Sequence, residues 1–207
     1  MGKSTSLINS AIACLTISCI LSVSGGALNS LNPYNLRPAS AGSFLSIDQD
    51  SSKRAKLTVV DTMINSFPVV SITDTARNEK EISNVIGRCY GKLFAFTGSH
   101  HLKPGRMMAS YLPVQGSFYT DVSIEIDKAG VQGEGRIRSE MIQGGNALVV
   151  HFKGPYEQTY LAYSAITEWL SAHHKTADRQ PIEIYLNSPA FVKDPYELKT
   201  DIYQFIK

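Results

Sequence analysis

Beyond Pro68 the chain repeats itself in order, and this self-similarity constrains its fold more than any other feature. Val69-Val70-Ser71-Ile72 corresponds to Val149-Val150-His151-Phe152 at an offset of 80. Tyr90, Phe96 and His100-His101 correspond to Tyr163, Trp169 and His173-His174 at an offset of 73. Tyr111-Leu112 then matches Tyr185-Leu186 at 74, and Thr120-Asp121-Val122 matches Thr200-Asp201-Ile202 at 80. The offsets change only where loops belong. Each match is short, but their shared order predicts a duplicated strand, helix, strand, strand unit.

Local periodicity agrees. Residues 79–98 carry Ile82, Val85, Ile86, Cys89, Leu93 and Phe96 at helical spacing, and residues 158–173 carry Leu161, Ala162, Ala165, Ile166, Trp169 and Leu170 in the same way. Both read as amphipathic helices, with Trp169 in the core stripe. Residues 121–126 and 181–186 alternate at period two, the pattern of strands with one face buried. The fold class expected is α+β: an antiparallel sheet with two helices on one face and the other face left partly open.

The sequence ahead of this region has a different character. Residues 7–23 run without a charge behind Lys3, which reads as a signal peptide or membrane anchor over residues 1–27 with the rest exported. Residues 28–67 form a Ser-, Asn- and Pro-rich flexible linker and lead-in, in which residues 57–65 fit either a strand or a helix. Residues 68–207 make the folded domain. Five of the 20 basic and three of the 18 acidic residues precede Pro68, leaving 15 of each in the domain. Such a balance offers no footprint for a phosphate backbone, so nucleic acid is not an expected partner. Cys14 and Cys19 lie in the apolar run, and Cys89 stands alone in the domain, so no internal disulfide is expected there.

The second half carries a recognisable series: Val149-Val150-His151-Phe152-Lys153-Gly154-Pro155-Tyr156, a helix with Tyr163 and Trp169-Leu170, Pro181-Ile182-Glu183-Ile184-Tyr185-Leu186-Asn187-Ser188-Pro189, and Thr200-Asp201-Ile202-Tyr203. In these motifs the chain resembles the GyrI-like family, which includes effector-binding domains of multidrug-sensing bacterial transcription activators. The resemblance implies two βαββ units related by a pseudo-twofold axis, with a groove between them for lipophilic, often cationic molecules. It further implies that Glu183 lies at the groove's centre. Where the regulators carry a helix-turn-helix domain, this sequence has the apolar run and tether, so neither direct transcription control nor gyrase inhibition is expected.

Strand parity supplies a candidate site independently of the family. With Ile182, Ile184 and Leu186 placed beneath the helices, Glu183 and Tyr185 face the open side, together with Glu125, Tyr203 and Phe205. Tyr111 and Tyr119 are candidates for the wall contributed by the first half. A carboxylate among aromatic rings favours an organic cation, because charge attraction strengthens away from water and each ring face adds about 0.5–2 kcal/mol of cation–π attraction. The expected function is therefore binding of a small lipophilic or cationic molecule at the cell envelope, with no cofactor. A hydrolase acting on reactive cyclopropane-type molecules through Glu183 and Glu125 is the alternative, and a protein-docking groove is a third. Metal binding at the His-His pairs is not expected. Each pair ends a helix, where imidazole bonds free carbonyls.

Overall fold

The computed structural model describes residues 54–207. The apolar run, and the linker as far as residue 53, lie outside the described residues. Among those described, no helix is long and apolar enough to cross a membrane. The strands are β1 (Lys56–Ile64), β2 (Phe67–Ala76), β3 (Pro104–Val114), β4 (Ser117–Ile126), β5 (Arg138–Ile142), β6 (Gly145–Lys153), β7 (Ile182–Tyr185) and β8 (Lys199–Phe205). Helix α1 (Ile82–Ser99) joins β2 to β3, and α2 (Tyr160–Ala172) joins β6 to β7. All strand pairs are antiparallel, in the order β1-β6-β8-β7-β3-β4-β2-β5. The lead-in left open between strand and helix is thus a strand of the sheet.

The order is symmetric about the β7–β3 pair. Each strand–helix–strand–strand segment contributes three adjacent strands, and each is flanked by a strand that precedes the other segment. The helix ends are also built alike. His101 and His174 take left-handed backbone angles, φ 52° and 51°. Leu102 N donates to Thr97 O at 2.9 Å, and Lys175 N donates to Leu170 O at 3.0 Å, the closing bonds of a Schellman cap. His100 stacks on Phe96 and His173 on Trp169, both at 4.0 Å between centroids, and each Nδ1 bonds the carbonyl of the residue beneath it. The paired histidines therefore serve as helix caps, as their position suggested.

The connections decide the shape. Only residues 65–66 separate β1 from β2, yet these strands sit near opposite edges of the sheet. The same holds for β5 and β6, joined by residues 143–144. Links of two residues cannot span a flat eight-stranded sheet, at under 5 Å per strand, so the sheet must curl until its edges nearly meet. Where the two links pass, a Cβ on Gly144 would lie 2.3 Å from the Ile64 carbonyl oxygen and 2.7 Å from Ser66 N, so only glycine fits.

Curling produces two cores. Beneath the helices, Val70, Ile72, Val122, Ile124, Leu148, Val150, Phe152 and Ile202 pack against Ile82, Val85, Leu93, Ala162 and Ile166. On the concave face, Phe67, Val69, Met108, Ala147, Ile182, Ile184 and Phe205 form a second apolar cluster. Arg106 lies 4.3 Å over the Phe67 ring and Arg179 lies 3.6 Å over Phe205, so two guanidinium groups cover this cluster. The face that the sequence left open is filled, and the expectation of a groove there is corrected.

Candidate functional site

The opening lies on the helix side instead. Helix α1 packs chiefly on β2 and β4 and only lightly on β3, and α2 on β6 and β1, which leaves a gap between the helices over the central pair β3–β7. A cavity of about 470 Å³ occupies this gap. Its walls come from α1 (Ile86, Gly87, Tyr90), from β3 (Met107, Tyr111), from Tyr156 ahead of α2, from Glu183 and Tyr185 on β7, and from Leu186, Pro189 and Phe191 beyond it.

Glu183 sits in the middle of the sheet, between Ala109 on β3 and Ile202 on β8. These partners belong to the helix-side core, and by strand alternation Tyr185 and Tyr111 share that face. Ile182 and Ile184, which parity reasoning had placed beneath the helices, point into the concave cluster instead. That reasoning assumed a single buried face, whereas β7 is buried on both.

Glu183 is 3% exposed. Tyr163 donates to its Oε1 at 2.6 Å and Tyr185 donates to its Oε2 at 2.9 Å, while the Tyr111 and Tyr185 hydroxyls share a bond of 2.6 Å. Burial raises the Glu183 carboxyl above its usual range, and the two tyrosine bonds oppose that rise. The tyrosines respond in kind. Burial and the nearby carboxylate push Tyr156 up to about 12 and hold Tyr111 and Tyr185 well above the ordinary phenol range. Tyr156 meets Tyr185 edge to face at 5.8 Å, and Tyr90 donates to the Met108 carbonyl at 3.0 Å, which fixes its ring in the wall.

Of the seven candidate residues, the fold brings Glu183, Tyr185 and Tyr111 together. The other four lie on the opposite face of the sheet. Glu125 is gripped by Arg106 through two bonds, 2.6 and 3.1 Å, and this guanidinium holds its carboxyl below the usual range. Tyr203 accepts from the same arginine at 3.4 Å. Phe205 is 1% exposed in the concave core, and Tyr119 is 46% exposed on β4, opposite Leu112. The paired-glutamate arrangement of a hydrolase is therefore not formed, since the two carboxylates face away from each other across the sheet.

Sequence reasoning missed Tyr90, Tyr156, Tyr163 and Phe191 as site residues. Tyr90 and Tyr163 were visible as counterparts at an offset of 73, and each reaches from its helix toward the sheet's centre. Tyr156 was hidden behind the turn chemistry of Gly154-Pro155 before it.

The matched family is the GyrI-like small molecule binding domain, over residues 62–207. The chain belongs to this family. Solved structures agree on the fold. The C-terminal domain of EcmrR superposes with a TM-score of 0.59 at 18% identity, covering 73% of this chain and 98% of that one. EcmrR in a complex with DNA gives 0.59 at 19%, but this chain covers 57% of the regulator. A hydrolase from Listeria innocua gives 0.55 at 10%, covering 72% and 91%. A protein solved with tetraphenylphosphonium, SAV2435, gives 0.51 at 13%, covering 72% and 94%. No curated protein matches the chain. The GyrI-like domain is thus a small-molecule-binding module.

Proposed function

We propose that this GyrI-like domain binds a small lipophilic organic cation in the helix-side cavity. The observation that carries the reading is Glu183: a buried carboxylate whose neighbours are tyrosine hydroxyls and ring edges, in a cavity with no lysine or arginine among its described lining residues. An ionised acid with no basic partner is costly in such surroundings, and a cation entering the cavity offsets that cost. Aromatic walls from Tyr90, Tyr111, Tyr156 and Tyr185 favour a delocalised charge with an apolar body, which sheds its hydration shell at low cost.

The test compares two ions of nearly the same shape and opposite charge. In calorimetric titration of the full chain, tetraphenylphosphonium is expected to bind saturably at one site per chain, and tetraphenylborate is expected not to bind. Equal binding of both ions would reduce the cavity to a hydrophobic hole and remove the assigned role of Glu183.

We further place this binding at the cell envelope. The support is the uncharged run of residues 7–23 behind Lys3. Fractionation of cells expressing the full chain is expected to recover it with membranes or outside the cytoplasm; recovery in the cytosol would remove the assignment.

A further inference from the structure

Phe191 is 90% exposed, the most exposed large apolar side chain among the described residues, and it lines the same cavity as the tyrosines. It rides on the connection between β7 and β8. Both ends of this connection are pinned. Leu186 N donates to Lys199 O at 3.0 Å, Asn187 Nδ2 donates to Glu197 O at 2.9 Å, and Asn187 Oδ1 accepts from Lys199 N at 2.8 Å. Between the pins the bonding at the tip is local. Phe191 N and Val192 N donate to Ser188 O at 2.9 and 3.0 Å, and Ala190 N donates to Ser188 Oγ at 3.2 Å. The tip is thus a small turn held to itself on a fixed base, with a large ring at the mouth of the cavity.

The helix that forms another wall has an unusual residue there. Gly87 stands in the interior of α1, where glycine is unfavourable relative to alanine. Packing does not require it, because a Cβ at this position would meet nothing within 4 Å. What its missing side chain leaves is space on the cavity side.

We propose that the tip turns Phe191 inward over a bound cation, that Gly87 leaves the room this closure needs, and that Phe191 thereby selects cations large enough to touch its ring. This rests on the cavity's being a lipophilic-cation site. A Phe ring in water gains by any closure that buries it, and against a cation it adds a further aromatic face. With the cavity empty, closure brings the ring only against the walls, whereas a bound cation adds a face for it to cover, so occupancy favours the closed tip. An aryl-bearing cation such as tetraphenylphosphonium reaches the ring; tetramethylammonium, seated at Glu183, does not.

The experiment uses the full chain and rapid mixing with tetraphenylphosphonium. In Phe191→Ala the dissociation rate is expected to rise about tenfold, with the association rate and Tm unchanged. Phe191→Leu should fall between the two. Gly87→Leu should also speed dissociation, and its Tm should rise, which separates blocked closure from damage to the fold. In a Trp169→Phe background, Phe191→Trp places an indole on the tip, and its emission should shift to the blue as the ligand saturates. Tetramethylammonium binding should be weakened much less by Phe191→Ala than tetraphenylphosphonium binding is. Unchanged dissociation in Phe191→Ala, or no spectral shift, with binding still weakened by Glu183→Gln, overturns the closure and leaves the cavity reading intact. Failure of tetraphenylphosphonium to bind the wild type removes the cavity reading, and the closure with it.

Discussion

Glu183→Gln is expected to weaken tetraphenylphosphonium binding by about 30- to 100-fold, the loss of roughly 2–3 kcal/mol that a charge-assisted interaction away from water can supply. The amide is nearly isosteric, and its oxygen can still accept from Tyr163 or Tyr185, so the cavity keeps its shape. One tyrosine hydroxyl loses its acceptor, while the cost of burying a charge disappears. Folding stability at neutral pH is therefore expected to change by no more than about 1 kcal/mol in either direction. Titration calorimetry paired with urea denaturation separates the two effects. Equal affinity in the variant would mean that the ligand is held by the rings alone.

The same carboxyl sets a pH signature. Burial raises its folded-state pKa above the ordinary 4.5, so the folded protein holds a proton that the unfolded chain has already released. Stability accordingly falls as pH climbs from about 4.5 through the raised value, and the penalty is complete above it. Cation affinity moves the other way. It rises through that window as Glu183 ionises and levels off beyond it. In Glu183→Gln both slopes should vanish, and an unchanged slope in the variant would assign the dependence to another group.

Phe205→Ala is expected to cost about 3–5 kcal/mol of stability, as truncation of a fully buried phenylalanine does, with the stacking of Arg179 lost besides. Phe205 joins Ile182, Ile184, Met108 and Val69 in the concave cluster, and the curled sheet cannot collapse onto the space it leaves without moving its edges. Tetraphenylphosphonium affinity of the folded variant should stay within about twofold of wild type, because the sheet separates Phe205 from the cavity. Urea denaturation measures the first effect and low-temperature titration the second. A large loss of affinity at preserved stability would return Phe205 to the ligand site.

Much of the fold was legible because it is written in local patterns. Helical spacing located α1 and α2, period-two alternation located β4 and β7, and ordered self-similarity located the two segments that flank the β7–β3 centre. The histidine caps were legible too, since a cap depends on a few neighbouring residues. β5, by contrast, has five residues, and none of them is buried. β1 is mostly exposed at the sheet's edge, and its apolar residues show no alternation sharp enough to tell strand from helix.

The site was legible in part for the same reason. Glu183, Tyr185 and Tyr111 were recognised as candidates from their positions in strands, and they do share one face. Which face that is depends on how far the sheet curls. The curl is imposed by two-residue links between strands that are distant in the sheet, and pairing across 67 to 97 residues leaves no local trace in the amino-acid order. Once the edges approach, the concave side closes over Phe67, Ile184 and Phe205, Glu125 is bound to Arg106 there, and the gap between the helices over the β7–β3 pair becomes the place where a ligand can meet a buried acid. Residue types and spacing were enough to say that an acid sits among rings; only the closure of the sheet determined which rings.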